Sequence, residues 1–228
     1  MRPHSSFTGF RCPLRRRMMG DMTGRIIIDL FTTLDGVAQA PGGPEEDVSG
    51  KFPYGGWQAG YPSRAVGDSV MAGMRTLDAL LLGRRTYDIF AAYWPHHLDG
   101  PEGSIGRLFD RVPKYVASRD AGIDLAWQGS RRIGDDLPAE IAALRERHRD
   151  VHVIGSIDLA QTLLAEQLYD ELQLWVYPVV LGRGKKVFPE GAAAHSMRLL
   201  SAESGDGGTL LLRYAPQPGE VRTGTMGA

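Results

Sequence analysis

Cysteine is nearly absent from this chain. Cys12 stands alone among 228 residues, which excludes an internal disulfide and a multi-cysteine zinc site and makes a reducing cytoplasm the expected compartment. Long apolar runs are missing too, and none approaches the ~20 residues that cross a bilayer. Histidine is sparse: of six, only His148 and His152 have the i, i+4 spacing of a chelating helical pair. That pair straddles Asp150, where a helical pattern gives way to a strand, so no metal is expected. Net charge is small, with 26 Lys and Arg against 27 Asp and Glu. Five of those bases, Arg2, Arg11, Arg15, Arg16 and Arg17, crowd into residues 1–23 beside one acid, Asp21. The remainder is therefore mildly acidic and exerts no long-range pull on nucleic acid or an anionic membrane. An anionic ligand must be met by a few placed arginines.

What is present is the composition of an ordinary globular protein. Hydrophobic residues make up 43% and charged residues 23%, enough apolar material for a core and too much for a disordered chain. Residues 1–23 have no apolar h-region and no periodic apolar face, which excludes a secretory signal and predicts a disordered basic tail. Residues 217–228 are expected as a second frayed end, leaving one domain over 24–216.

RIIIDL at 25–30 is a β-branched run that predicts a strand buried on both faces. Residues 32–62 hold so much Gly and Pro that they predict a long loop, and such loops in compact domains are usually functional. Val66, Val70, Met74 and Leu77 recur as the stripe of a helix over 63–78. ALLLG at 79–83 predicts a buried strand that breaks at Gly83 into a helix. Strands are predicted at 114–118 and 151–154, a helix at 137–147, and a further helix capped by Ser156 with Leu159, Leu163, Leu164 and Leu168 inward. Beyond it the helical period disappears, and 171–180, 186–188, 197–203 and 209–214 read as strands. Alternating β and α followed by hairpins predicts an α/β fold: a mixed sheet covered by helices, antiparallel toward the C-terminus.

Two segments are candidates for binding phosphate. LLLGRRTYDIF at 80–90 ends a strand in Gly83 and opens a helix, leaving free amides at the positive end of the helix dipole with Arg84 and Arg85 beside them. The plainer reading is a helix start with two solvated arginines. VHVIGSIDLAQTLL at 151–164 repeats the arrangement around Gly155 and Ser156, and two such corners in one sheet could hold the two ends of a dinucleotide. Asp158 in that first helical turn would repel a pyrophosphate, which favours a plain capped helix. Ser118 and Arg119 are a third contributor, since ligands of open α/β sheets gather at the carboxyl ends of strands.

For proton chemistry there are Asp35, in the loop after the first strand, and Asp68, early in the next helix. A carboxyl in a pocket lined by Phe52, Tyr54, Trp57 or Tyr61 would be desolvated, its pKa raised, and fit to relay a proton to a ring nitrogen. Asp35-Gly36 is also an ordinary turn dipeptide, and helix geometry puts Asp68 far round from Val70, toward solvent. No Ser lies in a Gly-x-Ser-x-Gly elbow, so a Ser-His-Asp triad has no support.

TTLDGVAQAPGGPEED at 32–47, ALLLGRRTYDIFAAYW at 79–94, PKYVASR at 113–119, GSIDLAQTLLAEQLYDEL at 155–172 and PVVLGRGKKVFPEG at 178–191 resemble, in the same order, bacterial dihydrofolate-reductase-like proteins. These are similar to the C-terminal reductase domain of the bifunctional riboflavin-biosynthesis deaminase-reductases. The resemblance covers about residues 24–216. It implies a three-layer αβα dihydrofolate-reductase-like fold, NADPH as hydride donor, a small heterocyclic substrate (pteridine-like or a ribosylaminopyrimidine) and a homodimer. By position it implies Gly83, Arg84, Arg85 and Thr86 at the cofactor phosphates, with Arg84 setting the preference for a 2′-phosphate. Ser118 and Arg119 match the adenosine side, and Gly155, Ser156, Ile157 and Leu159 the turn under the pyrophosphate. Asp35, Val37 and Ala38 match the loop beside the nicotinamide, and Asp68 approximates an acid that dihydrofolate reductases carry on the following helix. Family members usually have Gly-Ser-Gly where this chain has Gly155-Ser156-Ile157, and a β-branched Ile resists positive φ. No zinc-deaminase signature is present, so the resemblance is to the reductase part alone. The competing reading is a non-catalytic dimeric NADP(H)-binding module. A nucleic-acid partner for Arg15 to Arg17 is set aside on the charge of the body.

Overall fold

The computed structural model describes residues 23–225. The basic tail expected over 1–23, Cys12 included, lies outside them but for its last residue. In chain order the elements are β1 (Arg25–Thr33), α1 (Arg64–Met74), β2 (Ala79–Gly83), α2 (Arg84–Tyr93), α3 (Gly103–Arg111), β3 (Lys114–Ala117), β4 (Ser130–Ile133), α4 (Leu137–Arg147), β5 (Asp150–Ile154), α5 (Ile157–Ala165), β6 (Glu171–Tyr177), β7 (Ser196–Ser204) and β8 (Leu210–Gln217). The strands form one sheet in the order β4-β3-β2-β5-β1-β6-β8-β7. From β4 to β6 all neighbours are parallel, while β8 runs antiparallel to β6 and β7 antiparallel to β8. The mixed sheet with an antiparallel C-terminal end is what the sequence predicts.

Side chains alternate across a strand, and that alternation builds the layers. Ile26, Ile28 and Leu30 of β1 and Val151 and Val153 of β5 pack on one face against Ile141 and Leu144 of α4 and Leu159, Leu163 and Leu164 of α5. On the other face Leu80, Leu82 and Val116 meet Tyr87 of α2 and Phe109 of α3. Trp175 and Tyr177 of β6 meet Val66 of α1 with Phe52 and Trp57 from the long loop. Each such side chain, fully buried, contributes roughly 1.5–3 kcal/mol.

Two elements escaped the sequence reading. β4 is SRRI, an edge strand whose cations read as loop. α3 buries Phe109 but opens on Gly103-Ser104 and is only nine residues long. Conversely, residues 186–188 form no strand; Lys186 makes a single bridge to Val37. Helix α1 stops at Met74, where the Arg75 and Thr76 amides close back on Ala72 and Gly73.

Helix α1 is capped from the far end of the chain. Asp206, in the turn between β7 and β8, accepts hydrogen bonds from the Ser63 hydroxyl at 2.5 Å and from the Arg64 and Ala65 amides at 2.9 and 3.1 Å. The Ser63 oxygen in turn accepts from the Val66 amide at 3.2 Å. Led by the Ser63 hydroxyl, these donors hold the Asp206 carboxyl at about 2, against 3.8 ordinarily. A carboxyl held low stabilises the fold above its unfolded pKa and loses that contribution as pH falls through the folded one. Asp206→Asn is therefore expected to lower Tm at neutral pH. Calorimetry in steps from pH 7 down toward about 3 should show the gap from the parent protein narrowing; a gap of constant size rules out this role.

Candidate active site at the carboxyl edge of the sheet

Because β1, β2, β3 and β5 are parallel, their carboxyl ends share one edge, and every predicted ligand-binding turn follows one of those ends. At the β2 corner Gly83 is extended and caps α2. At the β5 corner Gly155 and Ser156 are left-handed, with φ of 63° and 58°. The Gly83 amide donates to Ser156 Oγ at 2.8 Å, so the two corners are joined directly. A Cβ on Gly83 would stand 3.4 Å from the Ser156 Cβ and 3.5 Å from the Leu159 Cβ, and one on Gly155 3.7 Å from Thr86 Cγ2. The Ser156 hydroxyl thus does not cap its own helix as the sequence predicts. No side chain among the described residues caps either α2 or α5, which leaves the first amides of two helices open to one anionic ligand. Ile157, the departure from Gly-Ser-Gly, lies inside α5; the left-handed conformation falls on Ser156.

The cations stand where these amides do. Arg84 gives its Nε–H to both oxygens of Asp88, at 2.8 and 2.9 Å, and its Nη groups make no hydrogen bond among the described residues. Arg85 lies 3.6 Å from Asp158, so the acid expected to repel a pyrophosphate has a cation beside it. At the end of β3 the Ser118 hydroxyl accepts from the Asp120 amide at 3.1 Å, and Arg119 is exposed.

Neither predicted acid is placed for proton transfer. Burial pushes the Asp35 carboxyl up, but a 2.6 Å bond from the Thr33 hydroxyl and bonds from the Gly182 and Leu181 amides at 2.8 and 3.2 Å outweigh it and hold the group below its ordinary value. Asp35 is a latch between the loop after β1 and the 181–186 turn, not the desolvated acid with a raised pKa that was expected. The latch buries Val37 and Ala38: the Val37 amide donates to Thr33 Oγ1 at 3.0 Å and the Ala38 amide to the Lys185 carbonyl at 2.9 Å. In that turn Lys185 pairs with Asp47 at 2.6 Å. Asp68 points to solvent, its side chain 77% exposed and 3.8 Å from Arg64, so it joins no site.

The structure brings together two residues that the sequence reading passed over. His152 Nδ1–H donates to Asp29 Oδ2 at 2.6 Å, with side-chain exposures of 2% and 9%. His152 Nε2 is buried without a partner among the described residues. Both line a cavity of about 50 Å³ between the sheet and α1, with Phe31, Val70, Gly73, Met74, Ile154 and Trp175. Asp29 is also the residue whose carbonyl accepts from the Gly155 amide, at 3.2 Å. The signal was present: one acid inside RIIIDL and one histidine inside DVHVI, each breaking an apolar run. His148, its supposed partner by spacing, bonds instead to the Tyr115 hydroxyl at 2.8 Å. Among the described residues no three His, Cys, Asp or Glu side chains cluster as a metal site, and no helix is long and apolar enough to cross a membrane.

Residues 25–211 match the family model of the RibD C-terminal domain. The chain belongs to that family. A relative in Bacillus subtilis strain 168, the uncharacterized protein YyaP, is 27% identical over 193 residues, covering 83% of this chain and 94% of its own. Among solved structures, a Shewanella sp. PV-4 protein named for riboflavin biosynthesis superposes with a TM-score of 0.65 at 22% identity, over 85% of this chain and 99% of that one. Dihydrofolate reductase from Enterococcus faecalis, solved with NADP(H), gives 0.53 at 15% identity, over 86% and 98%. The fold is thus that of the dihydrofolate-reductase-like reductases, and the RibD C-terminal domain family supports a reductase-type function.

The corner bond generates a stability prediction. Ser156→Ala removes the acceptor of the Gly83 amide and keeps the left-handed backbone, so it is expected to destabilise the protein by about 1–3 kcal/mol. Urea unfolding measures this, and a loss near zero shows that the amide finds another acceptor.

Proposed function

We propose that this protein is an NADPH-dependent reductase of a small heterocycle, pteridine-like or a ribosylaminopyrimidine. The observation that carries the reading is the pair of helix starts without a side-chain cap, joined by the bond from Gly83 to Ser156. Two sets of open amides side by side, with Arg84, Arg85 and Arg119 around them, suit a ligand with a pyrophosphate and a further phosphate.

In this reading the Gly155 and Ser156 corner, with Ile157 opening α5 and Leu159 packed beneath, receives the pyrophosphate. Gly83, Arg84, Arg85 and Thr86 receive the adenosine-side phosphates, and Ser118 and Arg119 border the adenosine. Val37 and Ala38, fixed by the Asp35 latch, form the wall beside the nicotinamide. When bound, the reduced nicotinamide supplies two electrons and a hydrogen to a substrate carbon. The chain's own part is to orient both rings, exclude water and deliver a proton. We place the protein in the cytoplasm as a homodimer of one domain over 24–216 flanked by tails at 1–23 and 217–228. The edge strand β7 exposes 51% of Leu199 and 43% of Leu200, apolar surface that suits a second copy. Nucleic acid, membrane and metal have no part in it.

A non-catalytic NADP(H)-binding module is the second reading. What favours it is that Asp35 is spent on the latch and Asp68 faces solvent.

Calorimetry with NADPH and NADP⁺ tests the core of the proposal, and absence of heat with both overturns it. Arg84→Ala is expected to weaken NADPH roughly 10- to 100-fold, the scale of a charge-assisted contact, while leaving NADH nearly unchanged. Equal loss for both cofactors removes Arg84 from the 2′-phosphate. Consumption of NADPH at 340 nm with dihydrofolate and other heterocycles separates the enzyme from the binding module, which saturates without turnover. Sedimentation should return twice the chain mass, and a monomer discards the homodimer.

A further inference from the structure

A carboxylate and an imidazole buried together under a helix are costly unless they are used or fully paired. Asp29 and His152 are half paired. Nδ1 is committed to Asp29, and Nε2 has no partner among the described residues although its ring lines a cavity. The rest of that cavity is apolar or aromatic: Val70, Gly73 and Met74 from α1, Phe31 from β1, Ile154 from β5 and Trp175 from β6. No charged side chain from α1 or β6 lines it. The ionisable groups around the imidazole are Asp29 and, two residues earlier on its own strand, Asp150, which pairs with Arg25 at 2.9 Å.

The backbone over the ring is also unusually bare. A Cβ on Gly73 would come 3.9 Å from His152 Cε1, so a glycine in the last turn of α1 faces the imidazole. The cavity, about 50 Å³, has room for a few waters or for the edge of a flat ring. Its position follows from register. Asp29 stands opposite Ile154 at the end of β5 and its carbonyl accepts from the Gly155 amide, so its backbone adjoins the corner assigned to the pyrophosphate while its side chain lies on the α1 face.

We propose that His152, oriented by Asp29, is the proton donor and polar anchor for a planar nitrogen heterocycle whose edge enters this cavity between α1 and the sheet. The inference rests on the reductase reading above and supplies the acid that Asp35 and Asp68 fail to provide. Reduction of a ring C=N bond balances as follows. A hydride supplied by a bound dihydronicotinamide would form the C–H bond at the carbon, and the C=N π pair would move to the nitrogen. That nitrogen takes the Nε2 proton of an imidazolium, leaving neutral imidazole with Nδ1–H still on Asp29 and oxidised nicotinamide as the other product. Water restores the Nε2 proton after release. The geometry is that of an imidazole whose tautomer is fixed by a carboxylate, and the aromatic walls offer faces on which the ring stacks.

The test is a titration of the full chain, labelled with ¹⁵N-histidine and saturated with NADP⁺, using pterin and 5-aminouracil as probes; with the oxidised cofactor no hydride donor is present and no turnover occurs. The buried ring is recognised by its slowly exchanging Nδ1–H. At least one probe is expected to shift the His152 Nε2 resonance and quench Trp175 fluorescence. His152→Gln and Asp29→Asn are expected to weaken that probe by ~10-fold or more, the scale of a hydrogen bond to a charged group, and to leave NADP⁺ affinity unchanged. The wild-type titration decides the matter even where a variant fails to fold. A His152 resonance that neither probe moves, in protein that binds NADP⁺, overturns this inference and leaves the reductase reading standing. Protein that gives no heat with NADP⁺ or NADPH removes both.

Discussion

The bond from the Gly83 amide to the Ser156 hydroxyl is the contact on which the arrangement of the carboxyl edge depends. It spans two strand-to-helix corners far apart in sequence and neighbours only because β5 is inserted between β2 and β1. It also explains why Ser156 tolerates a left-handed backbone, which costs a non-glycine residue about 1–3 kcal/mol: the hydroxyl is aimed at the other corner and not at its own helix. With that side chain turned away, the first amides of α2 and α5 stay open at the same carboxyl edge, although the two helices pack on opposite faces of the sheet. A helix start on its own is a common feature; two that share an edge and a hydrogen bond form a surface with a direction and a length.

A second constraint acts on the loops above this edge. Asp35 takes the Gly182 and Leu181 amides together with the Thr33 hydroxyl, and the Val187 amide returns to the Gly36 carbonyl at 2.9 Å. Gly184 sits at φ of 127°, where a Cβ would fall 2.6 Å from Val37 Cγ1 and 2.8 Å from a ring carbon of Phe52. Only glycine fits there. The loop after β1 and the turn after β6 are therefore one rigid wall, and the acid that resembled a catalytic group is the bolt that holds it. Its depressed pKa follows from that duty, since three donors favour the charged form more than partial burial disfavours it.

The third constraint is the alternation of β1. Ile26, Ile28 and Leu30 fill the core under α4 and α5, so the residues between them must face α1, and one of these is Asp29. His152 has the same parity on β5. Parallel pairing in the observed register brings the two side chains to 2.6 Å, although 123 residues separate them. Both side chains are buried on the face of the sheet that α1 covers.

The sequence alone determined most of the framework, because the signals involved are local. Buried β-branched and leucine runs marked β1, β2 and β5, Pro113 and the Asp135-Asp136 pair marked the starts of β3 and α4, the spacing of apolar residues marked α1 and α5, and glycines after strands marked both corners. It also shows a single cysteine, which allows no internal disulfide, and no apolar run long enough to cross a membrane. Short or charged elements such as α3 and β4 escaped, since they are held by neighbours and not by pattern. Tertiary structure alone decided which turns meet and which carboxylates remain free to act. Asp35 and Asp68 look alike in sequence, yet one is locked by amides from residues 181 and 182 and the other lies in solvent. Asp29 and His152, each an ordinary break in an apolar run, become a pair only when strand order and register fix their distance. Contacts between residues far apart in the chain are set by the sheet as a whole, and no local pattern records them.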